Sequence, residues 1–331
     1  NMAKLKDIRG TNIQSVDADP SNPVDGQLWY NSIAKVLKGE VFADAAWATG
    51  GNLNTARTEL GGFGTQTSAI AAGGNTPPGD SNAAEEYNGT SWSNISNLPV
   101  AKKELSGGAG VETAGLVAGG FSYPPFVIRN DTNEWDGSSW TSGGSMTKRG
   151  RSLGILGLTQ TSALAFGGSN PPANPGGADA TQPTNVEEYD GSSWTTGGSL
   201  STGRGSASGS GSVPAAIVFG GTISPPSAVS EEYNGTSWTS GGALNEGRGS
   251  LRGGTQGPQT AAIAMGGSSS NNTELYDGTS WTVSTNLGTP RNSGGPGGTQ
   301  TSAILFGGSP MSNATEEFTG AGPQTVSIDV D

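Results

Sequence analysis

The chain has 331 residues, 57 of them glycine and 19 proline, and carries a formal net charge of −12. It holds neither cysteine nor histidine, which excludes disulfides, thiolate nucleophiles, imidazole bases and Cys/His zinc sites. The acidic balance argues against nucleic acid as a main partner, since phosphate contacts need concentrated Lys and Arg, and no apolar run reaches the length that spans a membrane.

Residues 1–40 come first and stand outside the periodic part of the chain. Met2-Ala-Lys-Leu-Lys-Asp-Ile-Arg-Gly10 lacks the apolar core of a secretory signal, so assembly in a cytoplasm is expected. Gln27 to Val41 alternates weakly and predicts a small hairpin. The segment reads as a small attachment module in preference to the alternative, a flexible leader.

Beyond it the chain repeats, and a period of 41 to 53 residues signals stacked supersecondary units. Each unit predicts four strands, a to d. A basic residue comes first: Arg57, Lys102 or Lys103, Arg149 or Arg151, Arg204, Arg248 and Arg291. A glycine- and serine-rich stretch follows as strand a. Glycine weakens a strand, so its recurrence makes sense where innermost strands crowd a narrow channel. Strand b is a short apolar run closed by Gly-Gly, as in Ser68-Ala-Ile-Ala-Ala-Gly-Gly74 and Ala215-Ala-Ile-Val-Phe-Gly-Gly221. The six Gly-Gly pairs begin at 73, 119, 167, 220, 266 and 307. Strands c and d share motifs such as Glu231-Glu-Tyr-Asn-Gly-Thr-Ser-Trp238, where Asn-Gly or Asp-Gly predicts a two-residue type I′ turn with φ > 0 at both central positions.

The sixth unit stops at Glu316-Glu-Phe-Thr-Gly320 without its tryptophan. The missing piece lies at the other end, where Ala46-Trp47-Ala-Thr-Gly-Gly-Asn-Leu-Asn-Thr-Ala-Arg57 matches Ser193-Trp194-Thr-Thr-Gly-Gly-Ser-Leu-Ser-Thr-Gly-Arg204. Counting Trp47, the repeat tryptophans are Trp47, Trp92, Trp140, Trp194, Trp238 and Trp281, one for each Gly-Gly strand. A first strand that completes the last sheet closes a ring and removes its open edges. The expected fold is all-β: a six-bladed β-propeller of four-stranded antiparallel blades over residues 41–320, closed by an N-terminal strand. Residues 321–331 are expected as a C-terminal strand or tail. Val326–Val330 alternates, and should compete with the Trp47 strand for the outer slot of the last blade or add beside it.

The Gly-Gly strand, the Glu-x-Tyr-Asp hairpin, the Trp and the later Arg together resemble the Kelch motif over about residues 41–320. The Gly-His signature of WD40 repeats is absent, and Trp-Asp does not recur from unit to unit. Asp190 is followed directly by Gly191, so the spacing of a sialidase Asp-box fails. The copper site of galactose oxidase, a Kelch enzyme, needs histidines and a Cys–Tyr link that this chain lacks. Gly64-Thr-Gln-Thr-Ser-Ala69, its copy at 298–303, and the leader Gly26-Gln-Leu-Trp-Tyr-Asn-Ser32 also look like Kelch-type virion proteins of marine bacteriophages, cyanophages especially. That resemblance implies a non-enzymatic virion structural protein, a tail-fibre or receptor-binding component assembled in the bacterial host cytoplasm. Its partners would be other virion proteins and a host surface glycan or protein, with no cofactor or metal and with an oligomer open. The alternative is a cellular Kelch-type interaction module or lectin.

The b–c loops vary most, and variable loops on a rigid repeated scaffold are where binding usually sits. Loop 121–132 carries Phe121, Tyr123, Phe126 and Arg129, a set suited to stacking on a sugar or packing on a protein, or to covering the loop's own base. Glutamates at 85, 134, 187, 231, 274 and 316 fall near the basic residues, so structural pairing is expected for Arg57, Arg204, Arg248 and Arg291 rather than a ligand-binding arginine ring. The repeat tryptophans are read as packing residues.

Overall fold

The computed structural model describes residues 13–169, 182–223 and 225–328. Among these residues there is no helix: every regular element is a strand, and the strands form small, mostly antiparallel sheets. The chain divides into two compact units, Trp47–Thr319 and a second made of Asn1–Ala46 with Gly320–Asp331.

Within Trp47–Thr319 one four-strand meander recurs six times among the described residues. The fourth copy is the most regular. Its strands a to d are Ser208–Ser212, Ala215–Phe219, Ser230–Tyr233 and Trp238–Ser240. Strand b has four consecutive buried residues, as its unbroken apolar run requires, and strand c is buried at every residue but Glu232. The third sheet takes an extra edge strand, Ser106–Gly107, parallel to its own strand a. In the sixth sheet the outer strand is Ala46–Thr49, brought from the opposite end of the unit to lie beside Thr315–Thr319. The Gly50 N–H donates to the Thr315 carbonyl at 3.0 Å and the Leu53 N–H to that of Asn313 at 2.8 Å.

Three side chains of the repeat reach from one sheet to the sheet before it. The Trp Nε1–H of Trp92 donates to Thr315 Oγ1 at 3.0 Å, that of Trp194 to Thr132 Oγ1 at 2.8 Å, and that of Trp47 to Thr273 Oγ1 at 3.0 Å. The tyrosine of strand c donates to a glutamate of the preceding strand c: Tyr189 to Glu134 at 2.6 Å, Tyr87 to Glu317 and Tyr233 to Glu188 at 2.5 Å, and Tyr276 to Glu232. The glutamine of the a–b turn holds two carbonyls of the sheet before. Gln160 Nε2 reaches Gly115 and Trp135, and Gln66 reaches Ala303 and Phe318. The first sheet therefore bonds to the sixth as the others bond to their predecessors. Apolar packing agrees, since Leu60, Ala69 and Trp92 share one cluster with Ile304 and Phe306.

Strand a is glycine-rich because neighbouring a strands touch through their backbones. A Cβ on Gly62 would sit 2.7 Å from the Pro296 carbonyl oxygen, and one on Gly253 2.7 Å from that of Gly209. The one charged residue in the described a strands is Arg252, 2% exposed. Its Nε–H donates to Gly294 O at 2.6 Å. Beyond the fifth strand a, Gln256 Nε2 donates to Gly110 O of the second sheet at 2.7 Å.

Three expectations need correction. The c–d turn is centred one residue later than predicted. In the third sheet the Asp190 N–H donates to Ser193 O, which leaves Gly191 and Ser192 as the central pair. Only the glycine has positive φ, +93°, which is the pattern of a type II′ turn rather than I′. Asp190 turns inward instead, its Oδ1 accepting the Ser192 and Ser193 N–H groups at 2.8 Å, so the acidic residue caps the turn. The second correction concerns the C-terminal strand. Gly322–Ile328 adds neither to the sixth sheet nor beside Trp47; it pairs antiparallel with Val36–Ala43, while residues 329 and 330 of the predicted strand lie outside the described residues. The third follows from it: the boundaries fall at 46/47 and 319/320 rather than 40/41 and 320/321.

The other unit is a small four-stranded sheet. Leu28–Asn31 and Val36–Ala43 form the predicted hairpin, flanked by Gln14–Val16 on one side and Gly322–Ile328 on the other. Trp29 is fully buried and donates to Asp19 Oδ1 at 3.1 Å. Asp19 also accepts from Lys38 and Asn31, and these donors bring its carboxyl down to about 2.

Candidate functional site

The basic residue that opens five of the six repeats is a structural anchor. Arg204 is fully buried; it donates to the carbonyls of Gly220 at 3.1 Å and Val229 at 2.8 Å and pairs with Glu231 at 2.5 Å. Arg57–Glu85, Arg248–Glu274 and Arg291–Glu316 repeat the arrangement. Burial pushes the guanidinium of Arg204 down and the carboxylate opposes it. The second sheet uses Lys102, paired with Asp131 at 2.9 Å. Here Asn133, not Glu134, occupies the glutamate position, and Glu134 receives the Tyr189 hydroxyl instead. The third sheet has no cation in phase: the equivalent residue is Gly150, flanked by Arg149 and Arg151.

Two residues beyond each anchor the chain enters the left-handed region. Glu59, Glu104, Ser152, Ser206, Ser250 and Ser293 have φ between 49° and 58°, a conformation that costs an ordinary residue on the order of 1 kcal/mol. What compensates is a cycle of backbone hydrogen bonds. The N–H of Glu59 donates to Ser293 O, Ser293 to Ser250, Ser250 to Ser206, Ser206 to Ser152, and Ser152 to Glu104, all at 2.8–3.0 Å. The Leu105 N–H closes the cycle on Glu59 O at 3.1 Å. Sequence reasoning missed this ring, although a Ser or Glu two residues after every anchor was its visible sign.

The ring surrounds a cavity of about 270 Å³ floored by Leu105 and Arg252. Its wall is polar: six serines, two glutamates and Arg151 among them. Burial, and then the nearby charge of Glu104, push the Glu59 carboxyl up, and Glu59 Oε2 is buried without a hydrogen-bond partner. Burial brings the Arg252 guanidinium down to about 10. Ser169 and Thr222, at the starts of two b–c loops, also line the cavity, so it opens at the end of the sheets where those loops lie. Such a wall can donate to and accept from hydroxyl groups at close spacing.

The predicted aromatic set is split. Phe121 is buried, packs edge-on against Phe126 with centroids 4.8 Å apart, and lies under Lys103 and Arg151. Arg129 is half-buried and ion-paired to Asp131 at 2.7 Å. Tyr123 alone is well exposed, at 61%, in a short hairpin of Phe121–Ser122 with Val127–Ile128. Its N–H donates to Asp80 in the preceding b–c loop. Of loop 169–185, residues 170–181 lie outside the described residues.

The fold is similar to the solved structure of YjhT, with a TM-score of 0.64 at 13% identity over 82% of this chain and 99% of that one. At that identity the likeness is one of fold. No family model and no curated protein matches the sequence.

Proposed function

We propose that the six repeat sheets are the blades of a closed six-bladed β-propeller of the Kelch type, and that the protein is a non-enzymatic binding component of a phage virion, a tail-fibre or receptor-binding part. The ring reading is supported by the cycle of backbone bonds and by the likeness to YjhT, a β-propeller-like protein. The binding reading rests on one observation: the polar cavity and the variable b–c loops share one end of the blades. Elsewhere Arg57, Arg204, Arg248 and Arg291 and the strand-c tyrosines are engaged in pairing within or between sheets.

The ligand that suits this end is a host surface glycan. Its hydroxyls donate to Glu59 and Glu104 and exchange hydrogen bonds with the serines, while the exposed Tyr123 of the second b–c loop offers a ring face. A glycan array with the full chain tests the reading, followed by titration of the best binder against Glu59→Gln and Tyr123→Ala. Each substitution should weaken binding by tenfold or more, roughly what 1.4 kcal/mol represents, with melting nearly unchanged. An array without binders, alongside capture of a virion protein, would move the function from receptor binding to scaffolding.

A further inference from the structure

The third sheet lacks something its neighbours have. In the fourth, Arg204 fills a pocket formed by two carbonyls and Glu231. The backbone at Gly150 is in the same place: Gly150 O accepts the Gly120 N–H at 3.0 Å, as Arg204 O accepts that of Gly168 at 2.9 Å. The corresponding acceptors are also present. Glu187 is 5% exposed and is held by the N–H groups of Thr147 at 2.7 Å and Lys148 at 2.9 Å, as Glu231 is held by those of Ser201 and Thr202. Without an arginine stem at 150, a cavity of about 20 Å³ remains, lined by Glu187, Asn185, Gly167 and Leu153.

We propose that this cavity is a binding site for a guanidinium group, supplied by the arginine of a protein partner or by a small free guanidine. A buried carboxylate without a counter-charge is costly, and a cation bearing several coplanar donors relieves it best. The same fold offers the pattern four times over, since Arg57, Arg204, Arg248 and Arg291 each pair with the equivalent glutamate. The chain's own candidates do not fill the place. Lys148 and Arg149 are exposed at the rim, and segment 170–181 contains neither Lys nor Arg. The cavity is smaller than a whole guanidinium, so Leu153 must rotate; a Cβ on Gly150 would meet only that side chain, Cδ2 at 2.6 Å and Cγ at 2.8 Å. Lys148 of the d–a segment and Pro183 of the b–c loop also line the cavity.

The test is the melting temperature of the full chain against methylguanidinium chloride, from micromolar to tens of millimolar, with sodium and ammonium chloride at matched ionic strength. A saturable rise of roughly 1–3 °C is expected for methylguanidinium alone, abolished by Glu187→Gln. Gly150→Arg should raise the melting temperature and remove the response. If that variant does not fold, Arg204→Gly serves instead: it makes a second empty pocket, and methylguanidinium should recover part of the lost stability. N-acetyl-arginine amide separates the two sources, binding more tightly than methylguanidinium if the arginine of a partner is the occupant and no more tightly if a free guanidine is. An equal response to ammonium, or a response that survives Glu187→Gln, overturns the assignment, as does a decline with methylguanidinium no different from that with sodium.

Discussion

The third and fourth sheets differ at one buried anchor position yet share the hydrogen bonds around it. Both hold the backbone of residue 150 or 204 by the same two hydrogen bonds, both hold a strand-c glutamate by two backbone N–H groups, and both send a tyrosine to the glutamate of the sheet before. Only the fourth has an arginine at the anchor. The repeat therefore preserves a lattice of backbone bonds first, and the side chains hung on it can be lost one at a time. A matching substitution occurs elsewhere: the sixth sheet has Phe318 in place of tyrosine, and the fifth has Leu275 where a glutamate would receive the hydroxyl.

The sharpest way to break the comparison is to make the fourth sheet resemble the third. Arg204→Ala strands Glu231 in the interior and should cost about 3–5 kcal/mol by urea unfolding. A cost below about 1 kcal/mol would mean that the buried pair does little for stability. Next come the c–d turns. Gly191 and Gly235 share a positive φ, but a Cβ on Gly191 would meet Thr161 at 3.0 Å while one on Gly235 has its nearest neighbour at 3.5 Å. Gly191→Val should cost about 1–3 kcal/mol, and Gly235→Val less; equal costs would show that φ alone sets the penalty.

The tyrosines give a smaller, pH-dependent signal common to both sheets. Burial, and then the bond to Glu134, push Tyr189 up to about 12, and Tyr233 is raised by burial and Glu188. With the folded value above the unfolded one of about 10, the neutral phenol stabilises the fold fully below pH ~10, and that contribution is lost as the pH climbs towards 12. Urea midpoints followed from pH 9 to 12 should fall, and Tyr189→Phe should flatten the fall. The smallest expected effect is Tyr123→Ala, within about 0.5 kcal/mol of the parent, because an exposed ring carries little packing.

Strand order, the hairpin of residues 27–41 and the completion of the sixth sheet by Trp47 were legible because each rests on a local pattern repeated in phase. The arginine–glutamate pairs were legible for the same reason. Three features were not. The inward turn of Asp190 depends on a side chain competing with the backbone for two N–H groups. The left-handed serines are set by contacts between sheets, which no local propensity records. The pairing of Gly322–Ile328 with Val36–Ala43 joins segments nearly 300 residues apart, and alternation says that a strand exists without saying which edge receives it.

The central claim is that the sheets close into a ring through Ala46–Thr49. The most direct measurement is thermal unfolding of two fragments, residues 46–319 and residues 51–319. The account predicts one cooperative transition for the longer fragment. The shorter one, stripped of the strand beside Thr315–Thr319 and of the Trp47 bond to Thr273, should melt broadly and at lower temperature. Indistinguishable cooperative melting of the two would contradict closure.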